Sequence, residues 1–428
     1  MGNPKELPLH RLSVSSLVQF VDEVPLGYAE LLTGFDYLGV ALGHRRIEGR
    51  DMGPNRASGL LDAIQRVAPL IRERRDEFDK LRRLPDDIFE TLAAAGLFRL
   101  WLPQAIGGPE LSPFEFMSVV EAASALDGSV GWLVGNGGGM SRVGGYASKA
   151  VARDWFSDRR AFVAAATGAV GTATRVEGGY RVAGRWPFGS GAHHASLFMA
   201  LAAEEPVAAR LCCYVGREDV TILDNWHVSG LRGTGSCDFE VRDVFMPAAH
   251  VHPFLELRPS DPGLVYRMPP VSIFAWTISA VTLGIARGAV GAFVGLASRK
   301  GRPGSPALLR DRELVQATVG RAEAMYRAAR AFLVDAMTES MAATDIGGER
   351  LVKARAIFRM AGTCAAETAV SIVDMLAASA GAVSIFETCE LERAVRDARA
   401  ARHVAISPNN YVVGGRLALG LDPGTDKF

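Results

Sequence analysis

Apolar and polar positions follow two different patterns along the chain, and each pattern predicts a different kind of element. From Ser58 onward, apolar residues recur three or four positions apart, which is the spacing of an amphipathic helix. Short β-rich runs separated by glycine and Asp/Asn turns follow from residue 162 to about residue 253 and predict a small barrel or sandwich. Helical spacing returns after Pro270 in segments that predict an antiparallel bundle: 273–298, 313–341, 350–377 and 390–406.

This order predicts a mainly α-helical fold with a central β domain. We expect an N-terminal helical domain over 52–160, a small β-barrel over 161–262 and a C-terminal four-helix bundle over 263–428. Residues 1–51 have weak periodicity, and residues 47–50 read IEGR, the recognition sequence of a protease used to cut fusion proteins. We therefore expect 1–51 to be an N-terminal extension, either a fusion scar or a natural segment that contains this tetrapeptide by chance.

Charge and cysteine content narrow the class of protein. The 428 residues contain 47 Lys+Arg and 47 Asp+Glu, a balance without the basic surplus of a nucleic-acid or membrane-surface protein. No apolar run is long and uncharged enough to predict a membrane span, and no signal peptide is visible, so we expect a cytoplasmic protein. The 5 cysteines form no CxxC pair, and the adjacent His193 and His194 lack further ligands, so no metal site is expected.

Three sequence blocks carry the most specific signal. They are Arg185-Trp186-Pro187-Phe188-Gly189-Ser190-Gly191, Gly230-Leu231-Arg232-Gly233-Thr234-Gly235-Ser236-Cys237-Asp238 and the late pair Arg396-Asp397. Together with the helix–β–helix order, these blocks resemble the acyl-CoA dehydrogenase superfamily from about Ala63 to the end of the chain. The resemblance implies an acyl-CoA dehydrogenase-like fold with a flavin at the junction of the β domain and the bundle, in a homodimer or homotetramer.

The chain departs from the dehydrogenases of that superfamily at the catalytic glutamate. The two positions where those enzymes place it correspond to Ala405 and Phe274, and neither is a carboxylate. Glu387 and Glu390 lie nearby in sequence but are typical of a solvated helix entry. Because abstraction of a proton next to a thioester needs a positioned base, dehydrogenation of an acyl-CoA is disfavoured.

The departures instead resemble the flavin-dependent monooxygenase branch. That resemblance implies the oxygenase component of a two-component system, which receives FMNH2 or FADH2 from a separate flavin reductase. In this branch the reduced flavin adds O2 to form a C4a-hydroperoxide, which hydroxylates a small-molecule, aromatic substrate. Three alternatives remain open: N- or S-oxidation within the same branch, an FAD-containing acyl-CoA dehydrogenase-like oxidoreductase with a relocated base, and a non-catalytic homologue that serves as a binding subunit.

The resemblance also implies roles for residues around the first block. Ser190 falls where the superfamily places a hydroxyl beside flavin N5, and Phe188 falls where an aromatic ring stacks on the isoalloxazine. Gly191 continues the same cofactor-binding turn, and Thr167 in the first β run is expected to touch the pyrimidine edge. The alternatives from the residues alone are a strand-end hydroxyl at Ser190 and a core ring at Phe188.

Two further residues come from the helical bundle. His403 falls where the branch places its base or hydrogen-bonding histidine, while a lone helical histidine is otherwise a surface or core residue. Arg299 resembles an arginine that reaches the flavin phosphate across a dimer interface, or is simply a partner for a helix C-terminus.

Relatives that hydroxylate phenols often carry a second histidine, and that position here is Met140, for which His193 or His194 is a possible substitute.

Overall fold

Five helices precede the sheet in the computed structural model, which describes residues 56–255, 258–301, 307–405, 407 and 409–425. The predicted extension 1–51 lies outside the described residues. Ser112 caps the third helix through a capping box with Glu115, and Asp127 caps the fourth through the amides of Ser129 and Val130. The helices are α1 (Ser58–Leu81), α2 (Asp86–Ala94), α3 (Pro113–Leu126), α4 (Gly128–Met140) and α5 (Lys149–Trp155).

Helix α4 is rich in glycine because other elements approach its backbone closely. A Cβ atom at Gly137 would lie 2.3 Å from Cε2 of Phe162, and one at Gly135 would lie 2.8 Å from Cγ2 of Thr277. Both distances are below van der Waals contact, so any larger residue would force these elements apart. The glycines therefore seat α4 between the start of the sheet and the bundle.

The central β domain is one seven-stranded sheet. Its order is β5-β6-β2-β1-β3-β4-β7, and β1 and β3 are parallel while the other neighbouring pairs are antiparallel. The ladder between β2 and β6 shifts register between Trp186 and Gly189, within the first sequence block. The strands are β1 (Val163–Val176), β2 (Gly179–Gly189), β3 (Leu197–Glu205), β4 (Ala209–Gly216), β5 (Thr221–Leu223), β6 (Cys237–Pro247) and β7 (Val251–Pro253).

Further helices follow the sheet, and the four longest confirm the predicted bundle. The helices are α6 (Leu264–Arg267), α7 (Pro270–Ala297), α8 (Glu313–Thr344), α9 (Gly348–Ala380), α10 (Glu390–Ala405) and α11 (Asn409–Ala418). Helix α7 packs against α3, α9 and α10. By length and composition, Pro270–Ala297 and Gly348–Ile385 could each cross a membrane, but most of the apolar window of α7 is buried inside the protein, as in the core helix of a bundle.

Two apolar clusters join these layers. The larger one contains side chains from α1 to α4, the sheet and the bundle. The smaller one joins Met140 at the end of α4 and Phe274 in α7 to sheet side chains such as Met199 and Tyr214. Helix α4, the first turns of α7 and one face of the sheet therefore meet around Met140.

Candidate active site

Ser190 lies at the end of a chain of buried hydroxyl groups. The indole Nε1 of Trp132 donates a 2.9 Å hydrogen bond to its Oγ, which lies 2.8 Å from Oγ of Ser236. The Ser236 hydroxyl in turn lies 2.7 Å from Oγ1 of Thr234, and that hydroxyl donates to the backbone oxygen of Leu231 at 2.8 Å. The first and second sequence blocks therefore meet through side chains.

Phe188, two residues before Ser190, adopts an unusual backbone conformation. Its φ is +64°, in the left-handed region that bulky residues rarely occupy, and its side chain is 58% exposed. The ring is held edge-on to Trp226, with 6.2 Å between ring centroids. Such a conformation persists when the surrounding structure enforces it and is concentrated at functional sites. The turn therefore exposes an aromatic ring two residues before the buried Ser190 hydroxyl.

Gly191 and Thr167, the other two residues predicted to contact the flavin near this turn, lie in different surroundings. Gly191 has a φ of +75°, and a Cβ there would lie 2.5 Å from the ring of Phe162, so the turn requires glycine at this position. Thr167 is exposed on β1, in the stretch between Ala166 and Gly171 where the register with β3 shifts. A contact of Thr167 with the flavin stays a prediction.

The late Arg-Asp pair fastens the second block to helix α10. Oδ1 of Asp397 accepts a 2.6 Å hydrogen bond from the amide of Leu231, and Nη1 of Arg396 donates to the backbone oxygen of Ser229 at 3.0 Å. A Cβ at Gly230 would lie 2.1 Å from the backbone oxygen of Arg396, so the loop and the helix are in direct contact. The pair holds the loop that carries Ser236.

Buried carboxylates surround this contact. The pKa of Asp397 is raised to about 7, because burial and then the charge of Asp127 raise it more than the hydrogen bond from Leu231 and the charge of Arg393 lower it. Burial likewise raises the pKa of Asp127, whose Oδ2 lies 3.6 Å from Nη1 of Arg393. Arg393 also pairs with Asp79 at 2.9 Å. This network stabilises the loop and lies outside the hydroxyl chain.

The adjacent histidines have separate environments. His194 stacks on Phe89 with 4.3 Å between centroids, and its Nε2 lies 3.0 Å from the backbone oxygen of Leu84. Burial lowers the pKa of His194 to about 4, so it is a neutral packing residue near pH 7. Nε2 of His193 lies 3.5 Å from Sγ of Cys237, and burial together with Arg83 lowers its pKa. A substitute role for either histidine stays a prediction.

The described positions tested for a dehydrogenase base hold no suitable carboxylate. Phe274 packs in the smaller apolar cluster with Met140, which stands where a second histidine is often found. Glu387 and Glu390 are exposed, and Glu390 pairs with Arg75 at 3.3 Å. Among the described residues, no group of three or more His, Cys, Asp or Glu side chains could hold a metal ion.

His403 and Arg299 lie on exposed parts of the bundle. His403 is in the last turn of α10, with an exposed side chain that makes no contact with the hydroxyl chain within the described part of the protein. Arg299 is exposed two residues beyond the end of α7. Their predicted roles toward a flavin or substrate stay predictions.

Sequence reasoning missed the partners of Ser190. Thr234 and Ser236 lie in the second block and Trp132 lies in helix α4, but the side-chain contacts that connect them to Ser190 depend on how α4 and the loop pack together. The only local signal was two hydroxyl residues spaced between glycines in the second block. Such a pattern is also typical of an ordinary tight turn.

Known proteins resemble this chain in sequence. Residues 62–158 match the N-terminal domain of acyl-CoA dehydrogenases, and residues 276–408 match their C-terminal domain. The chain is 33% identical to the flavin-dependent monooxygenase, oxygenase subunit HsaA, of Rhodococcus jostii, over 86% of this chain and 99% of that protein. It is 30% identical to the FADH2-dependent resorcinol hydroxylase, oxygenase component, of a Rhizobium species, over 85% and 95% of the two chains.

A solved structure extends the likeness to the fold. XiaF from a Streptomyces species, in complex with FADH2 and glycerol, superimposes with a TM-score of 0.79 at 26% identity, over 87% of this chain and 98% of that one. The chain therefore belongs to the acyl-CoA dehydrogenase superfamily. Within it, the protein is a flavin-dependent monooxygenase, an oxidoreductase enzyme.

Proposed function

We propose that this protein is the oxygenase component of a two-component monooxygenase and hydroxylates a small aromatic molecule with reduced flavin and O2. The observation that carries the proposal is the turn that exposes the Phe188 ring two residues before the buried Ser190 hydroxyl. The ring touches Trp226 edge-on but is still 58% exposed, and a flavin offers a flat apolar face that can stack on it. Bound reduced flavin supplies the electrons and activates the oxygen.

The residues of this turn fit such a cofactor. Ser190 has a hydroxyl lone pair that its two hydrogen bonds leave free, so it can bind the N5 edge of the ring. The backbone at Gly191 comes close to the same place without a side chain. Thr167 is proposed at the pyrimidine edge, and Arg299 is proposed to bind the flavin phosphate across an interface between subunits.

His403 is proposed to take the proton of the substrate hydroxyl or to hold that hydroxyl in place. Imidazole is suited to this task because one ring nitrogen can accept a proton while the other donates a hydrogen bond. The residues packed around Met140 and Phe274 are apolar, which favours an aromatic substrate over a charged one. They also exclude bulk water from that region, which protects activated oxygen from loss.

Further features of the proposal come from relatives. FADH2 is the favoured cofactor because it is named for the resorcinol hydroxylase and bound in XiaF. Oxygenase components of such systems receive reduced flavin from a separate reductase, which we propose as the partner of this protein. We propose a cytoplasmic homotetramer, without nucleic-acid or membrane partners.

Rapid mixing tests this proposal. The purified protein is mixed anaerobically with dithionite-reduced FAD, and in parallel with reduced FMN, and then with oxygenated buffer. We expect a transient absorbance that belongs to neither free reduced nor free oxidised flavin. Immediate formation of oxidised flavin at the rate of free flavin, with both cofactors, would overturn the proposal. Genes beside this one that encode a small flavin reductase would identify the reductase to pair with it in turnover assays.

One observation favours a second candidate reaction. Met140 is packed among apolar side chains and supplies no acid or base where phenol hydroxylases often have a histidine. Oxidation of a sulfur or amine nitrogen needs no deprotonated phenol, so N- or S-oxidation is the alternative. Turnover of a thioether or an amine, with no turnover of any phenol, would favour it.

A further inference from the structure

The hydroxyl chain at Ser190 has a fixed direction. Oγ1 of Thr234 lies 2.8 Å from the backbone oxygen of Leu231, which can only accept a hydrogen bond. Two oxygens at that distance repel unless a hydrogen lies between them, so the single hydrogen of Thr234 is committed to Leu231. Thr234 therefore has no hydrogen left for Ser236.

The remaining contacts then follow one after another. Ser236 must donate to Thr234 across 2.7 Å, so Ser190 must donate to Ser236 across 2.8 Å. The indole of Trp132 can only donate, and it does so to Ser190. Each link thus runs from Trp132 toward Leu231.

Burial maintains this direction. Ser190, Ser236 and Thr234 are 8%, 4% and 1% exposed, so water has little access to the links between them. In such surroundings hydrogen bonds in a chain reinforce one another, and reversing one link requires reversing them all. Ser190 consequently keeps a free lone pair and no free hydrogen.

We propose that Thr234 and Ser236 make Ser190 a hydrogen-bond acceptor toward the flavin and so select reduced over oxidised flavin. This rests on the proposed function, which places N5 of the flavin beside Ser190. N5 of a reduced flavin carries a hydrogen and donates, whereas N5 of an oxidised flavin has none and accepts. Only the reduced form therefore finds a complementary partner, and the oxidised form meets an oxygen lone pair.

Dissociation constants of oxidised FAD and dithionite-reduced FAD, measured under argon, test this proposal. We expect the wild type to bind the reduced form more tightly. In Thr234→Val, Ser236 can donate to Ser190, which frees the Ser190 hydrogen for N5. In Ser236→Ala, Ser190 loses its acceptor, with the same result.

Each variant should lower the preference for reduced flavin by about tenfold, the value of one hydrogen bond. By the thermodynamic cycle, that change raises or lowers the two-electron potential of bound flavin by about 30 mV per factor of ten. Here the potential should become more negative, because oxidised flavin gains relative affinity. Potentiometric titration of the bound FAD gives this value independently of turnover.

Ser129→Ala is the matched control. Its hydroxyl is also buried and accepts from the amide of Gly233 at 3.1 Å, so it holds the same loop but lies outside the chain. The ratio of the two dissociation constants should stay at the wild-type value even where both constants change.

The outcomes separate the two proposals. If wild-type protein binds neither redox state of FAD or FMN, the proposed function fails. If flavin binds but the wild type prefers oxidised FAD or shows no preference, the proposed acceptor role of Ser190 is wrong, whatever the variants do. A ratio that stays unchanged in whichever of Thr234→Val and Ser236→Ala folds also overturns it.

Discussion

Trp132 and Ser190 share one buried hydrogen bond, 2.9 Å from the indole nitrogen to the hydroxyl oxygen, which links helix α4 to the end of strand β2. The indole therefore fixes the position of the hydroxyl proposed to face the flavin. A group that acts through another residue in this way is a positioning residue. Its removal should lower the fraction of flavin oxidation that yields hydroxylated substrate more than it affects folding.

Trp132→Phe keeps an aromatic ring and removes this donor. We expect flavin affinity to fall by roughly three- to tenfold, the value of a neutral hydrogen bond, and more hydrogen peroxide to form for each reduced flavin oxidised. Trp101→Phe is the control, because the indole nitrogen of Trp101 is buried without a hydrogen-bond partner in the described residues. Equal effects of the two substitutions would contradict the positioning role.

Phe188→Gly should change stability and flavin binding in opposite directions. Glycine relieves the left-handed backbone at a φ of +64°, which should stabilise the flavin-free protein by about 1 kcal/mol. Loss of the ring should weaken flavin binding at least about tenfold. Ala208→Gly is the control. It relieves a φ of +59° on the exposed β3–β4 turn and should raise the midpoint of denaturation without changing flavin affinity. A destabilised Phe188→Gly protein with normal flavin affinity would show that the ring serves the fold.

Asp397 should make the protein less stable as the pH rises toward 8. Its pKa is raised from 3.8 to about 7, so between these values the folded protein holds a proton that the unfolded chain has released. Stability from this group is therefore present at low pH and is lost as the pH rises through 7. The partner groups are Asp127, Asp79, Arg393 and Arg396.

Urea midpoints from about pH 5 to about pH 8 measure this effect. Asp397→Asn keeps an oxygen that can accept from the Leu231 amide but cannot ionise, so its midpoint should fall less over this range. Asp374→Asn removes an exposed carboxylate paired with Arg399 and should retain the wild-type pH dependence. If the urea midpoints of Asp397→Asn and wild type fell equally with rising pH, Asp397 would not be the source of the pH dependence.

His403→Gln tests the proposed role of the bundle histidine. We expect substrate hydroxylation to fall by 10²- to 10⁴-fold, the usual effect of removing an acid–base group, while flavin affinity and the reaction with oxygen stay unchanged. Arg402→Gln changes the neighbouring exposed residue of the same helix turn and should leave all three unchanged. Unchanged hydroxylation in His403→Gln would remove this residue from the mechanism.

Periodicity predicted the bundle well because its helices are long and have one apolar face. The observed Glu313–Thr344 and Gly348–Ala380 differ from the predicted helices by only a few residues at their ends, where caps rather than periodicity decide. The parallel pairing of β1 with β3 could not be predicted, since alternation shows which face of a strand is buried but not which strand lies beside it.

The site was predictable only where a motif is local. Phe188, Ser190 and Gly191 are close in sequence, and the turn they form is visible as a block. Trp132 is 58 residues from Ser190, and its indole reaches the hydroxyl only because α4 packs closely against the sheet.

The contact between Asp397 and Leu231 determines when during synthesis the site can be completed. The two residues are 166 positions apart, so the loop that carries Thr234 and Ser236 leaves the ribosome long before the carboxylate that anchors it. The loop therefore stays without this contact until helix α10 has been synthesised. A chain that stops before α10 retains Trp132, Phe188 and Ser190, yet it lacks the carboxylate that holds the loop of Thr234 and Ser236 in place.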